Sequence, residues 1–186
     1  MIAQVWEIVI ENRINMIEHY DENHTAYHEA GHIIASIEKG FEFESATITP
    51  HIDHQGNGSF AGRSMLLTPP DIYSAGNQAV IDLAGPSAEA KFRNCPVSIC
   101  YDNSEHGDFT HSRKMVEMWF NLDSYLHLSE KAPQSKEDLF QQFEQEAEEI
   151  INKRWTWVTA IAKGLLERRT LSKSEIDEII DHLEEN

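Results

Sequence analysis

The chain has 186 residues, 32 acidic against 15 basic, for a formal charge of −17. That balance argues against nucleic acid and an anionic membrane face as partners, and no window offers the roughly 18 to 20 consecutive apolar residues of a membrane span. The length is that of one domain, 1–186, with enough chain to bury a real core.

From the N-terminus, residues 1–20 read as an amphipathic helix in which Ile2, Val5, Trp6, Val9 and Met16 share a face broken only by Arg13. A signal peptide is not expected there, because no basic segment leads it and Glu7, Glu11 and Arg13 interrupt the apolar run. A soluble cytoplasmic protein is the expectation, with its two cysteines, Cys95 and Cys100, as free and largely buried thiols.

Residues 21–25 offer a turn and N-cap candidates for a second helix, which should stop at Gly40. Residues 41–50 alternate Phe41, Phe43, Ser45, Thr47, Thr49 against Glu42, Glu44, Ala46, Ile48, the pattern of a strand. Residues 51–58 read as a solvated loop, in which His51, Asp53 and His54 are a weaker metal-binding candidate, and 59–67 as a strand pairing with the first. Pro69-Pro70 breaks the chain. Residues 71–93 return to helix, with Ile72, Ala75, Ala79, Ile81-Asp82-Leu83 and Ala88 as its buried stripe and Gly85-Pro86 as a kink or a junction of two helices. After a loop at 94–107, a helix over 108–122 packs Met115, Val116, Met118, Trp119 and Phe120 inward. A long helix follows from Ser135 to about Arg169, and the capping box Ser172-Lys173-Ser174-Glu175 opens a last helix over 175–183. The fold class is mainly α with a small antiparallel β-sheet (α+β).

Within the second helix lies Thr25-Ala26-Tyr27-His28-Glu29-Ala30-Gly31-His32, an H-E-x-x-H motif. Residues four apart share a helical face, so His28 and His32 can turn both imidazoles toward one metal ion. Zinc polarises water, and Glu29, beside the first histidine, is placed to take its proton. Ala26, Ala30, Ile33, Ile34 and Ile37 flank the motif at helical spacing, so the helix should be packed. Gly31 costs about 1 kcal/mol relative to Ala and marks close approach of another element. A catalytic zinc has three protein ligands and one open position, so a third must come from elsewhere, and Glu89 and Asp108 are best placed to supply it. A closed structural site of both histidines with Cys95 and Cys100 is a competing arrangement, but it sets Pro96 between the thiols and leaves Glu29 without a purpose.

These residues resemble the FtsH-type zinc peptidases. The motif is similar to that family's T-A-x-H-E-A-G-H, and Leu83-Ala84-Gly85-Pro86-Ser87-Ala88-Glu89 to its L-G-G-R-x-A-E, with Pro86 in place of the basic residue. Gly107-Asp108, followed by a helix carrying Met115-Val116, resembles the family's segment bearing the third ligand, with Gly107 in place of Asn. Leu165-Leu166-Glu167 through Glu175-Ile176 is similar to its terminal segment. The resemblance implies an FtsH peptidase-domain-like fold with His28, His32 and Asp108 on Zn²⁺, Glu29 as catalytic base, and Glu89 orienting a ligand or loop.

The expected activity is that of an ATP-independent zinc endopeptidase on peptides or unfolded segments. No P-loop is visible, so unfolding would fall to a separate partner. His106 and His111 are candidate oxyanion donors or exposed histidines, and an edge strand at 59–67 suits an extended substrate. The alternatives are a non-catalytic peptide- or partner-binding module that retains the metal site, and a structural zinc that ties helices together. A homo-oligomer through the N-terminal helix or the helix carrying Trp155 and Trp157 is possible, with core packing as the default for both.

Overall fold

A computed structural model describes residues 22–49, 51–52, 58–59, 63–66, 74–102, 107–126 and 135–185. Helices dominate them: α1 (Glu22–Lys39), α2 (Ala75–Arg93), α3 (Asp108–Leu126), α4 (Lys136–Lys153), α5 (Trp155–Arg168) and α6 (Lys173–Glu184). Five short strands join them: β1 (Phe43–Thr47), β2 (His51–Ile52), β3 (Gly58–Ser59), β4 (Arg63–Leu66) and β5 (Thr170–Ser172). They make a three-stranded antiparallel sheet in the order β4-β1-β5 and a separate β2-β3 pair. The chain is mainly α with a small antiparallel sheet, as its patterning implies.

The core is built on the seam between α1 and α2, which run antiparallel: Tyr27 stacks on Phe92, His28 meets Glu89, and His32 meets Ile81. Ile33, Ile34, Val80 and Leu83 are fully buried along it, each contributing about 1.5–3 kcal/mol. Gly31 is what lets the helices close, since a Cβ there would stand 2.4 Å from the Ala84 carbonyl oxygen and 2.8 Å from the Ala88 Cβ. The seam ends where α1 ends. Gly40 adopts φ +70°, its N–H bonds the Ile37 carbonyl and that of Phe41 bonds Ser36, the paired reversal that terminates a helix at a left-handed residue. Across α2, helices α3 and α4 complete the layer: Trp119 and Phe143 both close on Gly76.

Several elements differ from their sequence pattern. Residues 22–25 are the first turn of α1 rather than a turn before it, with Glu22 favourably placed at the positive end of the helix. The alternation of β1 is interrupted by a bulge between Phe43 and Ser45, so the buried set is Phe43, Ala46 and Ile48, on both sides of the expected division. Residues 51–52, expected in a loop, form a strand that pairs with 58–59, and of the expected second strand 63–66 pair with β1. Helix α2 runs unbroken through Pro86, without a junction.

The long helix expected from Ser135 is two helices, divided at Arg154 (φ −108°, ψ 21°). No Gly or Pro marks this division. The Arg154 guanidinium instead lies 4.0 Å from the Trp157 ring centroid and pairs with Glu38 of α1. Just after α5, Arg169 at φ +70° turns the chain into β5, which pairs with β1. Ser172 and Glu175 form the anticipated capping box, although α6 starts at Lys173. Trp155 and Trp157 pack against the core. No helix among the described residues is long and apolar enough to cross a membrane. The amphipathic pattern of 1–20, the Pro69-Pro70 break, Ile72 and the metal-binding candidates Asp53 and His54 lie outside the described residues.

Candidate metal centre

Helix α1 presents His28 and His32 one turn apart, and α3 begins with Asp108 facing them. Gly107 makes that entry possible, because a Cβ there would lie 2.3 Å from the Asp102 carbonyl oxygen. Asp108 Oδ2 stands 2.8 Å from His28 Nε2 and 3.3 Å from His32 Nε2. The three ligating atoms all fall within 4.8 Å of one another, the one such group of histidine, cysteine and acidic side chains among the described residues. Two ligands held tetrahedrally around zinc stand about 3.3 Å apart, so these contacts suit an ion with little adjustment.

The outer nitrogens fix the chemistry of the inner ones. His32 Nδ1 donates to the Ile81 carbonyl at 2.8 Å, and His28 Nδ1 to Glu89 Oε2 at 3.2 Å. With both Nδ1 atoms protonated, a neutral ring has only a lone pair at Nε2, and both lone pairs meet a carboxylate oxygen. Such a convergence of acceptors requires positive charge. A proton on one Nε2 answers one of these contacts, whereas one divalent cation serves all three atoms. Burial opposes protonation of His28, but Asp108, Glu89 and Glu29 outweigh it and raise its pKa to about 10. His32 is likewise raised against the effect of burial, chiefly by Asp108. Burial would raise Asp108, yet His32 and His28 hold it well below the usual carboxylate range.

Gly85 leaves open the space beside the two ring nitrogens. A Cβ at this position would lie 2.4 Å from His32 Nε2 and 2.8 Å from His28 Nε2. The sequence contains the glycine, but nothing in its spacing tied it to the histidines. Glu29, between the two ligands, is 4 % exposed and acts electrostatically on both.

Behind His28 a polar relay leads away from the centre. Arg93 Nη1 bonds Glu89 Oε1 at 2.6 Å and reaches Cys100 Sγ at 3.6 Å. Glu89 thus bridges His28 and Arg93, with one carboxylate oxygen to each. Cys95 and Cys100 are free thiols 3.8 Å apart, and burial pushes Cys100 up to about 12, so this thiol is inert at neutral pH.

On the other side of the centre, His111 Nδ1 contacts Asp82 Oδ2 at 2.7 Å, and Gln78 Nε2 donates to Asp82 Oδ1 at 2.9 Å. Asp82 lies in the expected buried stripe of α2, and its charge within Val80-Ile81-Asp82-Leu83 is the sequence signal of a polar partner. His106 lies outside the described residues. Compared with known proteins, the chain matches no protein-family model and no curated sequence.

Proposed function

We propose that this chain is a zinc-dependent endopeptidase of the FtsH type, cleaving peptides or unfolded segments without ATP. One observation carries the reading: the Nε2 atoms of His28 and His32 converge on the Asp108 carboxylate, with each Nδ1 held by an acceptor, beside a buried glutamate. His28, His32 and Asp108 hold the ion, three protein ligands being the number that leaves a position open. Bound there, zinc supplies Lewis acidity toward water and a peptide carbonyl.

Glu29 takes the proton of the attacking water and returns it to the leaving amine. Glu89 and the Ile81 carbonyl keep both imidazoles in the binding tautomer. An extended substrate adds to β4, an edge of the three-stranded sheet among the described residues. These residues carry no P-loop, so the proposed cleavage is of chains that are already unfolded.

Hydrolysis of an unfolded protein by the zinc-loaded chain and by Glu29→Gln tests this reading. Cleavage by the wild type that a chelator abolishes, and that the variant lacks while holding zinc, supports it. A wild type with stoichiometric zinc and no cleavage of any unfolded substrate would leave a non-catalytic binding module.

A further inference from the structure

A second polar constellation borders the centre, on α2 and α3. Asp82 is 5 % exposed and is held from both sides, by Gln78 one turn earlier on α2 and by His111 on α3. Its place beside the metal ligands follows from the chain. His111 lies three residues after Asp108, on the same face of α3. Asp82 directly follows Ile81, whose carbonyl holds His32. Asp108 acts electrostatically on both Asp82 and His111.

The His111 side chain remains 39 % exposed while its Nδ1 is tied to Asp82. Gln78 Oε1 is the one buried side-chain polar atom without a partner among the described residues, so the network is not closed as a purely stabilising one would be. An imidazole oriented at Nδ1 by a buried carboxylate is a fixed donor through Nε2–H when protonated, and the Asp82 contact favours protonation.

We infer that His111, positioned by Asp82 and Gln78, is a catalytic residue that donates a hydrogen bond to the substrate carbonyl oxygen as negative charge develops there. This role rests on the peptidase reading. Two peptide probes separate the two: a phosphinic peptide, whose tetrahedral phosphorus carries an anionic oxygen, and a mercaptoacyl peptide, which binds zinc through sulfur and offers no such oxygen. Their affinities are measured by calorimetry on the zinc-loaded full chain, with zinc content determined in parallel.

Removing one such donor weakens oxyanion binding by about 100-fold. His111→Phe is therefore expected to bind the phosphinic peptide about 100-fold more weakly, and Asp82→Asn about 10-fold, with zinc content and mercaptoacyl affinity unchanged. Equal phosphinic affinity in His111→Phe and the wild type overturns the donor role and leaves the peptidase reading standing. Loss of zinc or of both probes in His111→Phe overturns it in favour of a structural role. A zinc-loaded wild type that binds neither probe overturns both.

Discussion

Gly31 and Gly85 sit on opposite sides of the α1–α2 seam, each where a side chain would collide, but with different partners. At Gly31 the obstacles are the Ala84 carbonyl and the Ala88 Cβ, parts of a packed helix that cannot turn aside. At Gly85 the obstacles are the far ends of His32 and His28, which can rotate away. The first glycine serves the fold, and the second serves the centre that the fold carries. Close approach between helices therefore has two meanings, which are told apart by whether backbone or a functional side chain fills the space.

Gly31→Ala should cost the most, about 3 kcal/mol of overpacking, read as a lowered urea midpoint with an unchanged slope. Gly85→Ala should do the reverse, keeping its far-UV circular dichroism while zinc affinity falls about 100-fold as the rings are displaced. If Gly85→Ala unfolded the chain and Gly31→Ala lost only zinc, the division would be inverted. Glu89→Gln should weaken zinc roughly 10-fold in a competition assay with a chromophoric chelator, because the acceptor of the His28 Nδ1–H loses its negative charge.

The pH dependence of the metal-free protein sharpens the same division. With His28 raised from 6.5 to about 10, its contacts with Asp108 and Glu89 contribute full stability below pH 6.5 and lose it as pH rises through 10. Thermal melts of the metal-free chain should therefore show a loss of roughly 3 kcal/mol between pH 7 and 10, and Asp108→Asn should flatten it. Ser172→Ala, far along the chain from either glycine, should remove the α6 capping box for about 1 kcal/mol and leave zinc binding unchanged.

Much of the centre was legible because helical spacing puts His28, Glu29 and His32 on record in five residues, and Gly40 and Ser172 signal their caps in the same local way. Asp108 emerged only through resemblance, since spacing alone left it level with Glu89. What stayed hidden depends on tertiary contact. The Arg154 break answers to Trp157 and Glu38, β5 is too short at three residues to show a period, and the β1 bulge is visible only against β4. Asp82 and His111, 29 residues apart, acquire their partnership when α2 and α3 pack.

X-ray absorption at the zinc edge of the one-equivalent zinc complex probes the centre most directly. Four light-atom ligands at about 2.0–2.1 Å, two of them with imidazole scattering, are expected, and Asp108→Asn should change that shell. Sulfur scattering at about 2.3 Å, or failure of the wild type to hold one zinc, would contradict an open centre built from His28, His32 and Asp108.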